Sequence, residues 1–110
     1  MKYTITPKQE KAILDAAVES VCDDEYGPDD IRGRKDRRKL NDARCLAMAM
    51  AHDQGVLQRI IAKHFSRSKN NTCVCIGKAR NQILLNADHA RWAMRILERF
   101  AKLLDKKMSA

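Results

Sequence analysis

The sequence predicts an all-α fold of five to six helices, and three observations carry that prediction. Apolar residues recur at spacings of three and four along most of the chain, as one face of a helix requires. Strong helix formers fill its middle, as in "ARCLAMAMAH" at residues 43–52. No segment reads convincingly as a strand.

The elements follow in order. Thr6-Pro7-Lys8-Gln9 reads as a helix start, with Thr6 as cap, Pro7 at the first helical position and Gln9 completing a capping box. The stripe Ile13, Leu14, Ala17, Val18, Val21 carries that helix to about Cys22. "DDEYGPDDIRG" breaks it, and Pro28, Asp29 and Asp30 open a short second helix, their charges suited to its N-terminal dipole. "RGRKDRRK", residues 32–39, packs six basic side chains into eight positions, so residues 32–40 are read as a basic loop, or as a short helix followed by a loop. Asn41 or Asp42 caps a third helix whose inner stripe is Ala43, Leu46, Ala47 and Met50.

Gly55 marks a turn, and a fourth helix follows with Leu57, Ile60, Ile61 and Phe65 inward. "SRSKN" interrupts the pattern. A fifth helix restarts it through Val74, Ile76, Ala79 and Ile83, capped by Asn70 or Asn71. Gly77 inside that helix costs about 1 kcal/mol against Ala and calls for a packing reason, such as the close approach of another helix. Two short helices joined by a few polar residues, the second basic at its start, fit a helix-turn-helix over about residues 56–85. The last helix, about Ala87 to Lys106, repeats Ala90, Ala93, Met94, Leu97, Ala101 and Leu104, widened by Ile96, Phe100 and Leu103 with Trp92 nearby. Part of that stripe packs on the core; the excess is either a homodimer surface or one end of a small core.

At 110 residues the chain suits one domain, 1–110, large enough for a core without disulfides or metal. It has no run of about 18 apolar residues to span a membrane. Its start, "MKYTITPKQE", lacks the apolar core of an export signal, which points to the cytoplasm. The four cysteines, Cys22, Cys45, Cys73 and Cys75, are then expected as free thiols.

Charge is distributed unevenly. Residues 1–31 carry −5, residues 32–80 carry +10 and residues 81–110 carry +3, for a net +8. No Asp or Glu lies between Asp53 and Asp88. A field concentrated in this way steers a polyanion. RNA readers of single strands use aromatic stacking platforms, and the basic stretch holds no aromatic residue. A membrane-surface helix needs apolar residues between its arginines, and they are missing too.

No enzyme is legible. Cys73-x-Cys75 has the wrong spacing for a zinc knuckle, and on a helix the two point about 200° apart. His52-Asp53 superficially resembles the metal pair of HD-type phosphohydrolases but has no matching ligands elsewhere. No nucleophile, base and orienter can be assembled, and no GxxxxGK[ST] phosphate loop exists, so neither metal nor nucleotide is expected.

The order of parts resembles the C-terminal DNA-binding domain of the bacterial replication initiator DnaA, over about residues 10–84. "DARCLAMAMA" matches the family's arginine- and methionine-containing helix start, with Arg44 on its second arginine. "IAKHFSRSKNNTCVCIG" matches its turn and recognition helix if one residue is inserted after Phe65. Lys69 then takes an arginine position, and Thr72 and Val74 keep family residues, whereas Cys73 replaces a threonine. The departures are that Arg67-Ser68 stands where the family has a glycine pair and Asn70-Asn71 where it has Asp-His. Asp36 falls on the family's minor-groove arginine, so Arg37 or Lys35 substitutes or the loop is shifted.

The resemblance implies a DnaA C-terminal-domain-like, Trp-repressor-like bundle that binds double-stranded DNA. The basic loop, through Arg32, Arg34, Lys35, Arg37, Arg38 and Lys39, together with Arg44, would grip phosphate and the minor groove. Lys69, Asn70, Asn71, Thr72 and Cys73 would face the major groove, with Arg67 and Lys78 on phosphates. Asn on adenine, Thr on a thymine methyl and Lys on phosphate make chemical sense of those positions. Lacking the initiator's ATPase domain, such a module would be a nucleoid-associated regulator of replication or transcription, of a kind a phage or prophage could encode. The alternative, from a different class, is a small basic adaptor that docks an acidic protein through the same patch, with Trp92 and Phe100 in a dimer interface.

Overall fold

The computed structural model describes residues 5–109. Met1–Thr4, which open the stretch that lacks an export signal, lie outside it, as does Ala110. Six helices appear in the described residues, and no strand: α1 Pro7–Val21, α2 Pro28–Arg32, α3 Arg38–Asp53, α4 Gln58–His64, α5 Lys69–Leu85 and α6 Ala87–Met108. None of them is long and apolar enough to cross a membrane.

α1 starts where its capping box predicts. The Thr6 hydroxyl accepts from the Gln9 backbone N–H at 3.2 Å, and the Thr6 N–H donates to Gln9 Oε1 at 2.9 Å. α3 is the axle of the fold. Every residue from Ala43 to Ala51 is buried, because α1, α2, α4 and α5 all pack on it. A helix buried all round needs apolar side chains all round, and the alternating Ala and Met of this segment supply them at small volume. α6 lies across α1 and α5 and closes the core with Ala93, Ile96 and Phe100.

Two helices end in the same six-residue device. At the end of α3, Val56 N–H donates to Ala51 O at 3.2 Å and Gly55 N–H to His52 O at 2.9 Å. Gly55 sits at φ +98° in this Schellman motif, where an added Cβ would meet Ile5 Cδ1 at 3.0 Å. At the end of α4, Arg67 N–H donates to Ala62 O at 2.8 Å and Ser66 N–H to Lys63 O at 3.2 Å. Here Ser66 takes the left-handed position at φ 53°. The chain therefore reverses through Phe65–Ser68 without a glycine.

Several expectations are corrected. α3 begins at Arg38 rather than at Asn41 or Asp42, so Arg38 and Lys39 form its first turn and only Gly33–Arg37 is loop. Asn41 and Asp42 are used otherwise: Asn41 bridges Asp36 and Arg44, and Asp42 accepts from Gln82. Ser68, not an asparagine, caps α5, accepting from Asn71 N–H at 3.0 Å. Val74 is 69% exposed instead of inward, because α5 buries Thr72, Ile76 and Ala79 against α3. Phe100 is buried in the core and unavailable to the dimer interface assigned to it, whereas Met94 and Leu97 on the same helix are exposed.

Gly77 has no packing reason. Nothing lies within 4 Å of a Cβ built there, and the residue is exposed. Gly77→Ala should therefore raise stability by about 1 kcal/mol, through helix propensity and a less free unfolded chain. Urea denaturation checks it; a loss of stability would reveal an unseen constraint on that face.

Candidate nucleic-acid interface

The two basic segments, 33 positions apart between Arg34 and Arg67, meet in space. The loop and the first half of α5 form the walls of one groove of about 440 Å3, whose lining includes Arg34, Lys35, Arg67, Asn71 and Lys78 and one acid, Asp36, bonded to Asn41. The helix wall is a single face, since Asn71, Val74, Cys75 and Lys78 follow the spacing i, i+3, i+4, i+7. The wall and the adjacent exposed face of α5 carry Lys69, Asn70, Asn71, Cys73 and Lys78, with no acid along α5.

The six loop cations divide into two groups. Arg34, Arg37 and Arg38 are exposed and make no ion pair among the described residues. The other three face the acidic segment before α3. Arg32 pairs with Asp29 at 3.3 Å, Lys35 with Asp30 at 3.5 Å, and Lys39 with Asp23 at 3.2 Å and Glu25 at 3.5 Å. Hydrogen bonding to Asp23 raises the Lys39 pKa, and two backbone N–H groups, with the Tyr26 amide foremost, lower that of Asp23. These pairs are largely open to solvent and individually weak.

Three of the expected contact residues are used elsewhere. Arg44 is 4% exposed and its guanidinium faces inward onto the backbone, donating from Nε to Ile31 O at 2.7 Å and from Nη2 to Asp30 O at 2.9 Å. It cannot grip phosphate. Burial lowers its pKa, and the nearby Arg67 charge adds to the effect. Thr72 is fully buried with its hydroxyl donating to Ser68 O at 2.9 Å, so it cannot read a base edge. Arg67 is half-buried and donates to Phe65 O at 2.8 Å and to Gly33 O at 2.5 Å.

The cysteines are free thiols. Cys73 is exposed on α5, while Cys75 lies at the groove wall beside the buried Cys45 of α3. A hydrogen bond from the Cys45 thiol lowers the Cys75 pKa, helped by the charges of Arg67 and Lys78; the same contact and burial raise that of Cys45. His52 and Asp53 both accept from Arg80, at 2.9 and 2.7 Å, which makes them partners of α5 at the end of α3. Among the described residues no three His, Cys, Asp or Glu side chains gather as a metal site.

Asn41, Val74 and Cys75 belong to the groove although the sequence did not mark them as contacts. The last two were legible in principle, three and four residues on from Asn71. Asn41 follows the basic loop in sequence but reads there as a helix cap, whereas in the structure it bonds Asp36 and Arg44. Comparison with protein-family models, with curated proteins and with solved structures returns no significant match.

Proposed function

We propose that the chain is a double-stranded DNA-binding module in which α4 and α5 act as a helix-turn-helix. The observation that carries this reading is the shared groove: the loop with the highest cation density and a helix free of acids form two walls of one surface. A helix of α5's kind fits the major groove, where the N-terminal residues of a recognition helix meet base edges. Asn70, Asn71 and Cys73 occupy that end, with Lys69 and Lys78 directed to phosphates. Arg34, Arg37 and Arg38 reach the flanking backbone or the adjacent minor groove, whose potential attracts arginine without a base code. The likeness to the DnaA C-terminal domain supports the reading, and a role in regulating replication or transcription follows from it.

Selection from random duplexes with the purified protein tests the reading, and an enriched motif is the expected result. Asn71→Ala should then cost about 1–3 kcal/mol on that motif and little on unrelated duplexes. No enrichment at low salt, or equal losses on every sequence, would remove sequence-specific binding. The adaptor reading predicts instead that an acidic polypeptide competes as well as any duplex.

A further inference from the structure

Four carbonyls, two in α2 and two in the basic loop, face two arginines. Asp30 O, Ile31 O and Lys35 O accept from Arg44, the last at 3.3 Å from both Nη1 and Nη2, and Gly33 O accepts from Arg67. Arg44 belongs to α3, and Arg67 to the turn that leads into α5. A fifth acceptor, Asn41 Oδ1, takes Arg44 Nη1 at 2.6 Å, and the same Asn41 amide donates to Asp36 in the loop. Gly33 leaves this turn no latitude, since an added Cβ would lie 2.7 Å from Asp29 O. With the carbonyls of Gly33 and Lys35 turned inward, the side chains of Arg34, Lys35 and Arg37 are left exposed.

We infer that Arg44 and Arg67 are positioning residues that clamp the loop backbone to α3 and to the entry of α5, so that loop and helix engage one ligand as a single rigid unit. The inference rests on the DNA-binding reading for its ligand, but the clamp itself does not. Without it the loop would be ordered only on binding, at an entropic cost that weakens the complex. Arginine suits this role because its planar fork bonds several carbonyls at once, whereas lysine offers a point charge.

Arg67→Lys is the discriminating variant, because it keeps the charge and removes the fork at a half-buried site. Arg44→Lys removes more and risks the fold. The first measurement needs no ligand. Trypsin should cut Arg67→Lys after Arg34, Lys35, Arg37 or Arg38 about tenfold faster than the parent, with the urea midpoint nearly unchanged. An unchanged rate overturns the clamp, whether or not the chain binds DNA. The second measurement is a double-mutant cycle of Arg34→Ala and Asn71→Ala on the selected duplex. In the parent the combined loss should differ about threefold or more from the product of the single losses, and in the Arg67→Lys background it should equal that product. Coupling that persists there overturns the positioning role. Arg67→Lys binding as tightly as the parent would likewise overturn the positioning role. If the parent binds no duplex, the DNA reading fails and the trypsin rates still decide the clamp.

Discussion

Arg44→Met should destabilise the fold by about 3 kcal/mol. The methionine fills similar volume but removes the charged donor from the carbonyls of Asp30, Ile31 and Lys35 and from Asn41 Oδ1, with only Asp30 O keeping a second donor, the Gly33 N–H at 3.2 Å. Hydrogen bonds from a charged donor contribute about 1.5–3 kcal/mol each, and buried acceptors left unsatisfied cost about 1–3 kcal/mol. Those values do not add, since the loop can open to water; the relaxed loss is therefore set near the worth of one or two bonds. Against a total stability of about 5–15 kcal/mol this is a large fraction. A fall in Tm of more than about 10 °C follows for a domain of this size. Arg34→Met is the control, an exposed residue with no ion pair among the described residues, and should change stability by less than about 0.5 kcal/mol. Equal effects at the two positions would mean that the Arg44 bonds contribute nothing net.

The second large effect is on binding. If about six to ten phosphates are engaged, duplex affinity should fall about 10³–10⁵-fold between 50 and 200 mM salt. Replacing Arg34, Arg37 and Arg38 together by alanine should weaken all duplexes alike and reduce the salt slope by about three. Among the described residues no acid pairs with those three, whereas Arg32, Lys35 and Lys39 already face Asp29, Asp30, Asp23 and Glu25. Titrations at four salt concentrations measure the slope. A slope unchanged in the triple variant would take the loop off the DNA and leave α5 alone as the contact.

Helix starts written in local chemistry were legible. The capping box at Thr6 and Gln9, and the pairing of proline with acids at Pro28, gave their helices at the expected residue. The start of α3 was misjudged because the N-cap position belongs to Arg37, which makes no capping bond, while the good capping residues Asn41 and Asp42 serve tertiary partners. α5 was misjudged for a related reason: Ser68, Asn70 and Asn71 are all competent caps, and only the turn geometry after Ser66 selects Ser68. Of the fourteen residues expected on DNA, Arg44 and Thr72 are buried, and both lie on helices whose inner face the apolar pattern marked only approximately.

The all-helical class, the places where the chain breaks and the concentration of positive charge over residues 32–80 are legible without any structure. Those properties depend on neighbours within about four positions, or on plain counting. Only the tertiary structure decided which arginines face out. Arg34 and Arg44 are the same side chain ten positions apart in sequence. Packing of α2 and the loop against α3 presents one guanidinium to solvent and surrounds the other with four backbone and amide oxygens. The destination of a long, charged side chain is set by whichever acceptors the fold brings within its reach, and those lie 3 to 14 positions away along the chain.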